Sequence, residues 1–319
     1  MLKNIEYQSY LFCLLAIFIF STNELVGKFI DTSITPISIT SYRFFIGSIL
    51  LSLFLFSKKD KYLPSVSWKY ILIISLIGVL NVGISMYTLQ LGIYYGQASF
   101  SAIIVSSNPL FVSIFAIFIL KEKLHIKNFI CLLCGLLGMS MVILGQLSVS
   151  GDSLNVFLGI LFSVIASITF ALYTVLSKQQ IKKTNSIFFN TISFFAGAFM
   201  LLIFGLLSKQ DFSFSSDLNV ILGMLYLGIF VTGFAYIAYF EGLKNIKASI
   251  GTSFFLLKPV FASFLAFFLL KETLSILQVL GVLIVIISLT VMTKMSNRNN
   301  SSQSEMTGFF TSFRGGTTK

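Results

Sequence analysis

Residues 98–124, ASFSAIIVSSNPLFVSIFAIFILKEKL, return 150 residues later as residues 248–274, ASIGTSFFLLKPVFASFLAFFLLKETL. The two stretches align without a gap, and 11 of 27 positions are identical. The same offset carries Gly78, Gly83 and Gly92 onto Gly228, Gly233 and Gly242, and Lys28 onto Lys178. The chain therefore reads as two copies of one unit. Each copy holds about five apolar runs near the roughly 20 residues that cross a bilayer as a helix. An odd number of crossings makes the second copy enter from the opposite face. In such inverted repeats a binding site lies near the midplane, between the halves.

The composition agrees. Hydrophobic residues make up 56% of the 319 residues, charged residues 10%, and mean hydropathy is +0.94. A soluble domain carries roughly 25% charged residues, so the chain is read as an integral membrane protein with no separate soluble domain. The expected fold is all-α, with ten transmembrane helices as two inverted five-helix repeats around a central cavity. Helices are predicted at about 10–30, 37–57, 68–89, 97–120, 126–146, 154–177, 187–207, 218–240, 248–270 and 274–293. The first repeat is 1–146, a linker follows at 147–153, the second repeat is 154–293, and 294–319 is a Ser- and Asn-rich tail expected to be disordered in the cytoplasm. The first run, from about Tyr10 to Ile30, lacks a small-residue cleavage site and reads as a span rather than a signal peptide.

The net charge of +11 does not point to nucleic acid, because its lysines sit in short loops beside the spans. With both termini in the cytoplasm, 17 of the 22 basic residues fall on the inner side. Lys28, Lys209 and Lys271 fall outside, and Arg43 and Lys258 lie within spans. This asymmetry sets the orientation of a multi-pass protein of the cell membrane. Cys13, Cys131 and Cys134 lie in apolar runs. The last two have CxxC spacing but no second ligand pair, so they read as packing residues. No metal set and no cofactor is expected. The GxxxxGK[ST], HExxH and GxSxG signatures are missing from the sequence, which argues against an enzyme and against ATP as the energy source.

Charges within a bilayer usually face a cavity or a partner. Lys258 falls in the ninth run, directly before Pro259. Its repeat counterpart is Asn108, directly before Pro109. Proline removes a backbone donor and disturbs the preceding turn. Polar residues beside matching breaks in both halves are the best sequence pointer to a substrate site. Lys258 is expected to meet an anionic group of a substrate, or else to be neutralised by an acid such as Glu24. Glu24 and Arg43 lie at similar depth on adjacent runs. They form either a static brace or a titrating, cation-binding pair. Asn23, Asn81, Tyr87, Tyr173, Tyr236 and Tyr239 are further candidates for the cavity wall, against packing or interfacial anchoring for the tyrosines. Glu122 and Glu272, in KE turns, read as capping or loop charge pairing.

Several of these features, taken in order, resemble the drug/metabolite transporter superfamily and its EamA-type ten-span members. Phe20, Ser21, Thr22, Asn23 and Lys28 are similar to the run that closes the family's first span. Pro36, Arg43 and Phe44 stand where the family has a Pro followed by an Arg-Phe pair. Asn108, Pro109 and Glu122, then Pro259 and Glu272, match the Pro-containing spans that end in acidic turns, with Gly135 and Gly281 following. The resemblance implies eight helices around a central cavity, a peripheral fifth and tenth helix, and transport of small organic solutes, often outward. Glu24 departs from it, at a position that is commonly apolar. The expected function is thus a secondary transporter, in the export direction by resemblance, of a small polar metabolite such as an amino acid. The alternative is proton-coupled efflux of organic cations or drugs through Glu24. The expected partners are the small-molecule substrate, the lipid bilayer and, if Glu24 titrates, protons. The assembly is expected to be a monomer or a homodimer.

Overall fold

The structure is a computed structural model that describes residues 2–23, 26, 30, 34–57, 62–95, 101, 104–123, 125–144, 153–212, 217–270 and 275–314. The described residues are almost entirely helical: α1 (Leu2–Ser21), α2 (Pro36–Ser57), α3 (Trp68–Tyr95), α4 (Asn108–Ile119), α5 (Ile126–Leu144), α6 (Ser153–Ile181), α7 (Ser186–Leu207), α8 (Leu218–Asn245), α9 (Ala248–Ser253), α10 (Lys258–Leu270) and α11 (Ile276–Arg314). Among the described residues, six stretches are long and apolar enough to cross a membrane: Pro36–Ser57, Trp68–Tyr95, Phe157–Ile181, Ser186–Leu207, Leu218–Asn245 and Ile276–Met295. Four shorter apolar helices accompany them, at Ile5–Ser21, Ile104–Ile119, Ile126–Val142 and Ala248–Phe261. A helix satisfies its own backbone donors and acceptors, the condition for a chain surrounded by lipid. Leu53, Phe118 and Leu207 point outward, whereas Ser41, Asn81, Ser85 and Asn190 are buried. The periphery is apolar, and the interior combines an apolar and aromatic core with small polar groups.

Several boundaries differ from the sequence expectation. α1 begins at Leu2 rather than near Tyr10, because the polar residues before Tyr10 include no helix breaker. Its first segment ends at Ser21, and helical backbone bonds resume beyond it, from the Val26 amide to the Thr22 carbonyl (3.0 Å) and from the Ile30 amide to the Val26 carbonyl (3.2 Å). The Ser21 and Thr22 hydroxyls donate to the carbonyls of Phe18 (2.6 Å) and Ile19 (2.7 Å), a side-chain bond that competes with the helical ladder. The ninth run is not one rod. A 3-10 turn, Phe254–Leu257, separates α9 from α10. Two long rods change pitch midway: α3 passes through a π segment at Val79–Met86, and α8 through one at Leu227–Phe234. Helical backbone in α11 continues to Arg314, into the segment whose composition predicts disorder. Neither Pro nor Gly interrupts residues 294–307.

Two pairs of close helix crossings repeat 150 residues apart. α3 meets α7 where Gly197 approaches the carbonyl of Gly78, and α2 meets α8 where Gly47 approaches the carbonyl of Gly228. α3 meets α6 at Gly92 and Ser163, and α8 meets α1 at Gly242 and Cys13. Small residues permit such backbone approach. α5 and α11 pack on each other through Gly138 and Gly281.

Hydrogen bonds define two ends of the bundle. At one end Thr35 donates to the Asp211 carbonyl (2.8 Å) and Tyr42 to that of Phe212 (2.6 Å). At the other, Tyr70 donates to the Gln180 carbonyl (2.8 Å) and Asn185 to that of Tyr62 (2.9 Å). Asn185 also caps α7, accepting from the Phe188 amide at 2.8 Å. The Asn185→Ala variant is expected to lose about 1–2 kcal/mol from the cap and the interhelix bond together. A thermal midpoint equal to wild type, measured in detergent, would contradict this role.

Candidate functional site

A cavity of about 50 Å³ lies at the centre, between residues of both halves. Arg43 (α2) and Lys258 (first residue of α10) line it, with Asn23, Phe20, Met86 and Tyr236. Pro259 occupies the first turn of α10, where a missing amide proton is tolerated. It places Lys258 at the junction with the 3-10 turn. The equivalent break precedes α4: Ser107 is its N-cap, and Asn108 and Pro109 open the helix.

Arg43 is 5% exposed. Its Nη1 donates to Asn23 Oδ1 at 3.4 Å, and its Nη2 lies 3.7 Å from Met86 Sδ. The Tyr236 hydroxyl reaches the same sulfur at 3.6 Å. The guanidinium sits 4.9 Å from the Phe44 ring centre, a cation–π distance. Tyr236 is itself packed edge-on against Phe20 (5.2 Å) and Phe194 (4.9 Å). Arginine is thus fixed by a soft sulfur, an amide and an aromatic face, and partly buried Lys258 borders the same space.

Of the sequence candidates, Lys258, Arg43, Asn23 and Tyr236 line this cavity together. Glu24 lies outside the described residues. Asn81 is buried in the π segment of α3, and its amide atoms have no hydrogen-bond partner among the described residues, although it lies close to the Tyr236 hydroxyl. Asn108 is buried and ties α4 to α6 by donating to the Ser167 carbonyl (3.0 Å). Tyr87 packs toward Phe204 on α7. Tyr173 and Tyr239 belong to a fully buried aromatic layer with Phe189 and Phe240. Ring centres are 5.7 Å apart for Tyr173–Phe240 and 5.2 Å for Tyr239–Phe240. Phe170 of the cavity wall lies one turn before Tyr173 on α6, and Tyr236 one turn before Tyr239 on α8. The aromatic layer therefore separates the cavity from the end that carries Lys178 and Gln180.

Beyond that layer lies a contact that sequence reasoning did not assign. Lys178 is 4% exposed and forms an ion pair with Glu122 at 2.8 Å. It also donates to the carbonyl of Ile246. The same carboxylate oxygen accepts from the Ala248 amide at the start of α9 (2.8 Å). A left-handed Lys121 (φ 55°) ends α4, and the Glu122 amide turns back to the Ala116 carbonyl, closing the helix end. Glu122 thereby joins the first half of the chain to α6 and α9 of the second. The available sequence signal was the repeat itself, which pairs Lys178 with Lys28 and Glu122 with Glu272.

Comparison with known proteins agrees with this architecture. The model of the EamA-like transporter family matches twice, over residues 8–144 and 157–294. An uncharacterized transporter of Clostridium kluyveri is 34% identical over 275 residues, which is 84% of this chain and 88% of its own. The uncharacterized transporter YoaV of Bacillus subtilis is 29% identical over 249 residues, 76% of this chain and 82% of its own. A protein of known crystal structure superposes with a TM-score of 0.76 at 17% identity, over 89% of this chain and 98% of its own, and so shares the fold. With the family model matching both halves of an all-helical, lipid-suited bundle, this chain belongs to the EamA-like transporter family, within the drug/metabolite transporter superfamily, and is a multi-pass membrane transporter.

Proposed function

We propose that the protein is a secondary transporter, working as an exporter, of a small zwitterionic or anionic metabolite of the amino-acid type. It moves its substrate by alternating access between two inverted five-helix halves. Ten spans with both termini in the cytoplasm fit the loop charges, and the paired crossings of the bundle support two structurally equivalent halves. The end that carries Lys178 is then the cytoplasmic end, held shut by the aromatic layer and the Glu122–Lys178 pair.

The observation that carries the substrate reading is the placement of Arg43 and Lys258, one from each half, on a single central cavity. Cationic donors favour a carboxylate or another oxyanion, because charge-assisted hydrogen bonds are about twice as strong as neutral ones. Lys258 binds the anionic group, Arg43 orients it, and Asn23 and Tyr236 supply further polar contacts. Glu24, next to Asn23 in the sequence, receives the substrate ammonium or a proton. Organic small-molecule sites span roughly 300–1,000 Å³, so the cavity of about 50 Å³ widens on loading. Two cations on the wall disfavour the alternative of organic-cation efflux unless Glu24 neutralises them.

Counterflow in proteoliposomes against a panel of amino acids and organic cations tests the reading. Lys258→Ala is expected to lower zwitterion or anion flux roughly 10- to 100-fold, the loss that follows from a charged hydrogen bond worth about 1.5–3 kcal/mol. Unchanged flux in that variant, or flux confined to organic cations, would refute it.

A further inference from the structure

A second cavity, of about 250 Å³, lies at the Lys178 end, beyond the aromatic layer. It is separate from the central site. Lys178, Lys182, Lys244 and Lys247 line it with Tyr10 and Glu122. Four lysines face a single carboxylate on this wall, a net charge of three positive. Loop lysines are ordinary at the cytoplasmic end of a membrane protein. A lysine 4% exposed at the back of a polar hollow is not, since a buried ammonium carries a large desolvation cost unless anions compensate it. Glu122 supplies part of that compensation through Oε1. Its Oε2 is buried without a hydrogen-bond partner among the described residues, so the carboxylate is held by one oxygen only.

We infer that this hollow is a binding site for a phosphate-class oxyanion, held by Lys182, Lys244 and Lys247 and competing with Glu122 for Lys178. Lysine binds phosphate as a point charge through any of three N–H donors. A hollow of this size admits a phosphate group together with water. Basic pockets between membrane helices at the cytoplasmic face hold anionic headgroups, and soluble phosphate presents the same oxygens. Both sources supply one chemistry. An oxyanion that draws Lys178 away from Glu122 loosens the contact joining the two halves at this end. Occupancy therefore favours opening toward this side. The binding site rests on this cavity alone and holds whatever the central site carries; its effect on opening rests on the proposed function.

The test uses the full chain in nanodiscs, with thermal melting as the readout. In phosphatidylcholine discs, inorganic phosphate is titrated at constant ionic strength against chloride. In a parallel arm without phosphate, the fraction of phosphatidylglycerol is raised. A saturable rise in melting temperature with phosphate identifies a soluble ion as ligand, and a rise with phosphatidylglycerol alone identifies a headgroup. The double variant Lys182→Ala/Lys244→Ala is expected to raise the half-saturating concentration about tenfold. Glu122→Gln, which removes the competitor, is expected to lower it several-fold. Lys258→Ala is expected to leave it unchanged, which separates this site from the central one. No saturable shift with either source, or an equal shift in the double-lysine variant, overturns the proposal.

Discussion

Gly78→Val is expected to abolish recovery of monodisperse protein. A Cβ at position 78 would stand 1.9 Å from the Ser193 carbonyl oxygen and 2.5 Å from its carbon. Both are backbone atoms of α7, which no rotamer change can move aside. Relief requires α3 and α7 to separate, and Gly197 faces the Gly78 carbonyl at the same crossing. Overpacking ordinarily costs about 1–3 kcal/mol. A backbone clash at a matched glycine pair exceeds that range and falls among the rare losses above about 4 kcal/mol. Gly83→Ala serves as control, because its added Cβ would meet only Val79 Cγ1, at an ordinary 3.6 Å. Expression, size-exclusion profile and melting temperature read both variants. A well-behaved Gly78→Val protein would show that the crossing is looser than described.

The second large effect is expected at Glu122. Glu122→Ala leaves Lys178 buried, with the Ile246 carbonyl as its remaining hydrogen-bond partner among the described residues, and strands the Ala248 amide. Removing one member of a buried ion pair costs about 3–5 kcal/mol, because the surviving charge is uncompensated. Replacing both members with apolar groups of similar volume is often close to neutral. Glu122→Leu/Lys178→Met is therefore expected to recover much of the stability lost in Glu122→Ala. Additive losses in a double-mutant cycle would mean that the two side chains are not coupled. Under the proposed function the single variant also loosens the cytoplasmic closure. Faster cysteine labelling at Cys13, buried at the α1–α8 crossing, would report that.

Much of the architecture was legible before any coordinates. Hydropathy located the apolar runs because lipid selects side chains by polarity alone. The repeat predicted that Asn108–Pro109 and Lys258–Pro259 would mark matching breaks, and both prolines stand in the first turn of a helix. Pitch was not legible. The π segments of α3 and α8 and the 3-10 turn before Lys258 arise from how whole rods fit together, and no residue of Val79–Met86 announces one. Partner choice was equally hidden. Tyr173 and Tyr236 both read as aromatic candidates for the cavity wall on apolar helices. Whether each touches the cavity depends on which turn of which rod lies at its level, which places Tyr236 on the wall and Tyr173 in the layer below. Glu122 looked like a loop charge because its partner is 56 residues away in sequence.

The two π segments carry a mechanical consequence. Each spans eight residues in the middle of a 28-residue rod, Trp68–Tyr95 in one case and Leu218–Asn245 in the other. A π turn takes in extra chain for the same rise, so each rod holds a little slack that can be taken up or paid out without breaking its ladder. Since the slack sits at corresponding levels in both units, neither unit is stiffer than its image. Under the proposed function, matched slack on the two sides lets the molecule tilt toward either membrane face at comparable cost, and the choice of face is left to whatever occupies it.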